Sequence, residues 1–354
     1  MKKKKVVHII DSLGRGGAET LLVGIIKAMP QFEHIIISLK PLNEFKDDLH
    51  GIKIFFLDFK WYHSIPKTVI AVKKIIKSTN AEIVHANLYW SIIVSRLAVP
   101  KNVRLINSYH ALLYGFEGAN YPFYARLLDK LTYRKKFVTL CVSKGVENNI
   151  RNHVVIKENV SVLYNYVEDN FFERYRPTYR IDTPIKLVAV GNIKKDKNFQ
   201  VIIDAFADLT GNERNLLSLD IYGKGPLLES LKQRCQEKNV TSISFKGSIS
   251  DVASVLPAYD VFIISSTSEG FGIAVAEAMA VGLPVIVSDI PVLKEITCGN
   301  AFYFDPDDPL SLSNTIEKLF QNSSSLKELS LQGHKISQAY RKETYMKRLA
   351  DFYN

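Results

Sequence analysis

Short apolar runs rich in β-branched residues recur along the chain at residues 6–10, 35–38, 53–56, 83–85, 104–108 and 139–142. Between them lie stretches such as 18–28 and 65–77, where apolar residues return every three or four positions. A continuous apolar strand followed by an amphipathic helix, repeated, predicts a parallel sheet covered on both faces. The pattern then begins afresh at residues 186–191 and runs through 217–222, 242–246, 261–265, 285–288 and 301–304, with a helix over 199–208. Between the two series, residues 169–178 show no periodicity and include a proline, as a linker would. The expected class is α/β with two doubly wound, Rossmann-like domains. We expect the first domain at 1–168, a linker at 169–184 and the second domain at 185–334.

The densest chemistry follows the strand at 261–264. There Ser265-Ser266 lead into Ser268-Glu269-Gly270-Phe271-Gly272-Ile273, and Glu277 follows in the nearly apolar stretch Ala274-Val275-Ala276-Glu277-Ala278-Met279-Ala280. Glycines in such a turn leave backbone N–H groups uncovered at a helix N-terminus, where anions and hydroxyl oxygens are favoured. Two carboxylates eight residues apart span a little over two helical turns, so Glu277 can lie on the side of the loop that holds Glu269. A glutamate among so many alanines needs a polar partner.

This Glu-x7-Glu arrangement, continued by Glu277-Ala278-Met279-Ala280 and Gly282-Leu283-Pro284-Val285, resembles the motif of retaining GT-B glycosyltransferases that use nucleotide sugars. The resemblance implies the GT-B architecture, two Rossmann-like domains facing a deep cleft, with a terminal helix at about 335–354 returning onto the first domain. It also implies that Glu269 meets the donor sugar, that Glu277 binds the ribose, and that the backbone of Phe271, Gly272 and Ile273 holds sugar hydroxyls and phosphate. Gly191 and Lys197-Asn198 match the family's cationic loop, in which Lys197 would steady charge growing on the leaving diphosphate. Asn192 stands where the family carries an arginine; it belongs to the donor-binding set but removes a bidentate phosphate contact. Lys194 or Lys195 could supply the missing cation, although solvated loop lysines are the plainer reading. His110, at a strand's carboxyl end, matches a histidine that contacts the donor sugar, and we group it with Glu269 and Lys197 as catalytic.

Gly16 and Gly17, in Gly14-Arg15-Gly16-Gly17-Ala18-Glu19, resemble the family's first loop and are expected near the donor phosphate. This loop lacks both Walker spacing and the Gly-x-Gly-x-x-Gly order, which disfavours an ATPase or a dehydrogenase. Tyr222-Gly223-Lys224-Gly225-Pro226 resembles the family's Gly-x-Gly-Pro turn. Phe245-Lys246-Gly247 resembles the strand end beside the nucleobase, so Gly223 and Lys246 join the donor-binding residues.

No metal or other cofactor is expected. Asp305-Pro306-Asp307 fits the Asp-x-Asp string of other sugar transferases, but its place before a helix near Leu310 suggests capping. Three cysteines at wide spacing outline neither disulfides nor zinc.

The chain carries a formal net charge of +10. Residues 1–180 hold 28 Lys+Arg against 15 Asp+Glu, whereas residues 181–354 hold 18 against 21. Without a nucleic-acid-binding motif, the basic first half suits an anionic membrane surface. The segment from Tyr121 to Lys136, aromatic, cationic and helically spaced, reads equally as an interfacial helix and as a half-buried helix leading into the strand that starts at Phe137, and the two do not exclude each other.

The expected function is therefore transfer of a sugar from a nucleotide diphosphate donor, with retention and without metal, to a hydroxyl. That hydroxyl is expected on a lipid-linked glycan or cell-surface polysaccharide, at the cytoplasmic face of a membrane. The alternatives are a non-catalytic nucleotide-sugar-binding or glycosyltransferase partner protein, which Asn192 motivates, and a GT-B phosphorylase or epimerase.

Overall fold

The computed structural model describes residues 3–115, 123–154, 156, 158–176, 184–209, 213–321 and 323–354. It divides into two compact units, one of residues 1–165 with 345–354, the other of residues 166–344.

The first unit is built on a seven-stranded parallel sheet of β1 (Lys5–Ile10), β2 (Glu33–Ser38), β3 (Lys53–Phe56), β4 (Ile83–Asn87), β5 (Arg104–Tyr109), β6 (Val138–Cys141) and β7 (Val160–Val162). Its spatial order is β3-β2-β1-β4-β5-β6-β7. The helices are α1 (Gly17–Ala28), α2 (Ile65–Thr79), α3 (Tyr89–Ala98), α4 (Phe123–Thr132) and α5 (Lys144–Val154). The central β1 is apolar on both faces, with Val6, Val7, Ile9 and Ile10 all fully buried, as a strand covered by helices on both sides must be. Helices α2, α3, α4 and α5 pack side by side in sequence order. The strand change from β1–β2 to β1–β4 gathers the carboxyl ends of β1, β4 and β5, where ligands of such sheets bind.

The second unit carries a six-stranded parallel sheet ordered β10-β9-β8-β11-β12-β13. Its strands are β8 (Ile185–Val190), β9 (Leu217–Tyr222), β10 (Ile243–Gly247), β11 (Val261–Ile264), β12 (Val285–Ser288) and β13 (Phe302–Phe304). The helices are α6 (Asp169–Phe172), α7 (Phe199–Asp208), α8 (Leu228–Glu237), α9 (Val252–Val255), α10 (Ile273–Val281), α11 (Pro291–Thr297), α12 (Pro309–Gln321) and α13 (Ser323–Ser337). The last helix, α14 (Lys342–Tyr353), begins in the second unit, and its residues from 345 onward belong to the first. Within the first unit Tyr353 donates or accepts at His85 Nδ1 (2.7 Å) and sets its ring edge-on to Phe32.

Several expectations need correction. The aperiodic stretch after residue 168 is not all linker: Asp169–Phe172 form a short helix because Phe171 and Phe172 are buried, and Arg341 stacks over the Phe172 ring at 4.2 Å. Residues 177–183 of that stretch lie outside those described. The terminal helix expected from 335 is interrupted at Gln338–Tyr340, after which Arg341 is extended. There the chain is held by Val167 N–H donating to Tyr340 O at 2.8 Å and by Tyr340 OH donating to Ile296 O at 2.9 Å. Helix α4 stops at Thr132, short of Lys136, where Thr132 Oγ1 turns back to the Leu128 carbonyl and Phe137 N–H closes a turn on Arg134 O. Tyr121 and Pro122 fall outside the described residues. The cap of α12 is Asp308, which accepts from Leu310 N–H at 2.9 Å, whereas Asp305 accepts from Asp307 N–H in the preceding turn.

Candidate active site

The apolar run of β11 ends in Ser265-Ser266-Thr267, and these three residues fasten two loops together. Ser265 Oγ donates to Lys197 O (2.8 Å), and Thr267 N–H donates to Asp196 O (2.9 Å). Ser266 Oγ donates to Glu269 Oε1 at 2.8 Å. The same oxygen pairs with Lys197 Nζ. Both partners are largely buried, at 18% and 11% side-chain exposure, so this contact is screened far less than a surface pair. The two residues singled out for the sugar and the diphosphate thus form one preorganised cluster, and nothing in the residue spacing marks Ser266 as its third member.

Gly272 caps α10 in the left-handed region (φ 83°), and a Cβ there would come within 2.7 Å of Leu293 Cδ2. No side chain caps the helix, and with Val275 and Ala276 N–H both donating to Gly272 O, the first-turn amides left to a ligand are those of Ile273 and Ala274. Glu269 is therefore not the cap of this helix but the counterion of Lys197. Phe271 is buried, with its ring edge-on to Tyr340 at 5.3 Å.

Further along α10, burial pushes the Glu277 carboxyl up to about 8, and the neighbouring Glu168 adds to the rise. Glu168 precedes α6, which packs against α10. It accepts from Lys342 Nζ at 2.8 and 3.2 Å. Lys342 also lies over the Tyr166 ring, 5.4 Å from its centroid. This Glu168–Lys342 pair is a neighbour of Glu277 that sequence spacing could not reveal, since its members lie 174 residues apart.

The loop after β8 is shaped by close backbone approach. A Cβ on Gly223 would overlap the Gly191 carbonyl, and one on Gly225 would overlap Ile193. Ile193 N–H donates to Lys224 O (2.9 Å), so the two glycine loops are knitted together. Asn192 is exposed. Of the two lysines that could replace the missing arginine, Lys194 pairs with Asp196 at 3.1 Å, and Lys195 is exposed. Lys246 points its ammonium at Asp220 (3.4 Å), which also accepts from Tyr259 OH at 2.7 Å.

Gly16, Gly17 and His110 lie in the first unit. Gly16 is the extended N-cap of α1. The Glu19 carboxylate folds over that helix end, bonds its own backbone N–H and is raised by burial. A Cβ on Gly17 would meet nothing within 4 Å. His110 Nε2 bonds Asn87 Oδ1 at 3.0 Å, and burial lowers the ring to about 4, keeping it neutral. Among the described residues His110 Nδ1 and Asn87 Nδ2 have no partner. Nearby, Asp11 holds the start of α3 by accepting from Ser91 N–H (2.8 Å) and Oγ (2.7 Å), and burial raises its carboxyl. Leu88, between β4 and α3, adopts a φ of +73°, a strained conformation for a branched side chain.

Two parallel α/β units, each with loops clustered at the carboxyl ends of its strands, make a two-domain doubly wound α/β protein. Residues 171–336 match the family model for glycosyl transferases group 1, and residues 15–171 match that for glycosyltransferase family 4. Together the two models span residues 15–336, so the chain is similar to glycosyltransferases over most of its length. It is 23% identical over 348 residues to an uncharacterised glycosyltransferase of Methanocaldococcus jannaschii, covering 92% of this chain and 90% of that protein. It is 29% identical over 204 residues to the O-antigen chain mannosyltransferase RfbU of Salmonella typhimurium, covering 56% of this chain and only 55% of that relative. Among solved structures, Anabaena HepE in complex with UDP superposes with a TM-score of 0.83 at 17% identity, with 99% of each chain covered. The sucrose-phosphate synthase of Thermosynechococcus elongatus gives 0.80 at 19% identity, over 99% of this chain and 98% of that one. These likenesses establish the GT-B fold.

Proposed function

We propose that the chain is a retaining, metal-independent glycosyltransferase that moves a sugar from a nucleoside diphosphate donor to a hydroxyl of a lipid-linked glycan or growing cell-surface polysaccharide. The observation that carries this reading is the Lys197–Glu269–Ser266 cluster beside the uncapped N-terminus of α10. As the bond from sugar to diphosphate breaks, negative charge grows on phosphate oxygens. A fixed ammonium and oriented N–H groups stabilise that charge more than they stabilise the intact donor, which lowers the barrier. They supply the role that a metal would otherwise fill. Glu269 would exchange part of its contact with Lys197 for sugar hydroxyls, and the Glu277 carboxyl would meet the ribose hydroxyls. The other residues assigned to the donor are His110, Gly16 and Gly17 in the first unit and Asn192, Gly223 and Lys246 in the second. With no enzymic nucleophile assigned, retention implies departure and attack on one face, with the leaving phosphate taking the acceptor's proton. The protein would work at the cytoplasmic face of the membrane that carries its acceptor.

HepE was solved with UDP and with UDP-glucose, which makes UDP-sugars the first donors to try. Melting the protein against UDP-, GDP- and ADP-sugars should show selective stabilisation by one donor. With that donor, Lys197→Ala and Glu269→Gln should each lower turnover at least about tenfold, or ~1.4 kcal/mol of barrier. Near-normal turnover by both variants would overturn the assignment.

A second reading, a non-catalytic nucleotide-sugar-binding protein, is favoured by Asn192 together with Lys194 being drawn to Asp196. On that reading a donor stabilises the fold, yet neither the wild type nor Asn192→Arg releases nucleoside diphosphate in the presence of acceptor extract.

A further inference from the structure

The layer formed by α2, α3 and α4 has an outer face unlike the rest of the surface. Among the described residues eleven large apolar side chains are exposed, and six of them, Trp61, Tyr62, Ile70, Leu97, Leu127 and Leu131, lie on this layer or on the turn leading into it. Leu131 is 73% exposed and Ile70 70%, values that a soluble helix gains nothing by presenting. The turn at 61–64 is joined to α4 by the Tyr62 and Tyr124 rings, whose centroids are 5.9 Å apart. Trp61 in turn leans on the buried Trp90 of α3 at 5.7 Å. The apolar residues are therefore held by the packed layer and do not hang from a loose segment.

Charge on the same face has one sign. Helix α2 carries Lys67, Lys73, Lys74 and Lys77, all exposed, and no acidic residue. Helix α4 adds Arg126 and Lys130, with Arg134 just beyond its end. Its one acidic residue, Asp129, is turned inward and fully buried, where it pairs with Arg96 and accepts from Tyr109 OH (2.8 Å) and Tyr114 OH (2.9 Å). That network removes the only negative charge of α4 from the surface. Among the described residues none of these seven cations has a carboxylate partner.

We infer that the α2/61–64/α4 face is a docking surface for an anionic lipid bilayer. Leu127, Leu131, Ile70, Trp61 and Tyr62 would enter the headgroup boundary, while the lysines and arginines around them reach the phosphates along their aliphatic stems. Aromatic side chains with a polar edge suit that boundary. A nucleic acid would match the charge but offers nothing to Leu131 or Ile70, and a protein partner would require acidic complementarity over the same span. The inference deepens the proposed function by stating where a membrane-borne acceptor would be met, and it rests on that reading only for the acceptor.

The test is binding to vesicles of phosphatidylglycerol and phosphatidylcholine in equal parts, against phosphatidylcholine alone. The chain has two tryptophans, and only Trp61 is exposed, so binding should shift its emission to the blue, a shift that Trp61→Phe loses. Replacing Lys67, Lys73, Lys74 and Lys77 together by Ser should weaken binding at least about tenfold, and high salt should do the same to the wild type. Leu127→Ser with Leu131→Ser should abolish the blue shift, while Lys232→Ser on α8 leaves binding unchanged. Melting curves confirm that each variant folds. Equal binding to neutral vesicles, no binding to anionic ones, or an unaffected lysine variant would overturn the inference. Nucleoside diphosphate release from a soluble donor, measured without vesicles, reports the proposed chemistry separately, because no variant touches Lys197 or Glu269.

Discussion

Glu277 ties the electrostatics of the second unit to a measurable slope. Its carboxyl rises from an ordinary 4.5 to about 8, chiefly through burial and secondarily through Glu168. An acid whose folded-state value is raised binds more protons folded than unfolded, so ionising it costs stability. The group is neutral in both states well below 4.5. The cost then accumulates as pH climbs from there and levels off above about 8. At ~1.4 kcal/mol per unit the full shift would cost on the order of 3 kcal/mol at neutral pH. The side chain keeps some access to water, which screens roughly half of that and leaves ~1–2 kcal/mol. Glu277→Gln preserves the shape and removes the charge. The gap in Tm between variant and wild type should therefore be smallest near pH ~5 and widen by ~3–6 °C toward pH ~8, at a few degrees per kcal/mol for a unit of this size. Lys342→Met strips Glu168 of its ammonium partner and should steepen the wild-type slope. A gap that stays constant with pH would refute the reasoning, because it would place Glu277 in water in both states.

Chelator should leave turnover unchanged if Lys197 and the α10 N-terminus supply the positive charge; activity lost to chelator and restored by magnesium or manganese would return attention to Asp305 and Asp307. Gly225→Ala should lower stability by several kcal/mol, because a methyl there overlaps the Ile193 backbone and no flexible side chain can yield. A variant that melts like the wild type would show that the two glycine loops are not knitted as described.

What the sequence revealed was periodic or locally spelled out. The parallel strands were legible because strands buried on both faces must be apolar throughout, and the Glu269–Glu277 spacing because a glycine turn and a helix start are written in adjacent residues. What it hid depends on distant partners. Strand β7, Val160–Val162, is only three residues long and partly buried, too short for a periodic signal. Helix α6 forms because its two phenylalanines find a buried place, which propensity cannot foresee. Lys246 looks available for a nucleobase from its place at a strand end, but Asp220, on the neighbouring strand, draws its ammonium. The sequence also placed the interfacial residues in one segment, Tyr121 to Lys136. Folding instead sets the 61–64 turn against α4, places α2 on the other side of α3, and ties Lys135 to Glu158 at 2.7 Å.

The central claim is transfer of a sugar from a nucleotide donor with its anomeric configuration kept. The direct measurement is the proton NMR spectrum of the product, taken early in turnover with the donor that stabilises the protein best and an acceptor extract. An axial donor should yield a new axial glycosidic anomeric signal that grows with nucleoside diphosphate and fails to appear with Lys197→Ala. An equatorial product from the same donor would contradict retention, and stabilisation by a donor with no diphosphate released by wild type or Asn192→Arg would contradict catalysis itself.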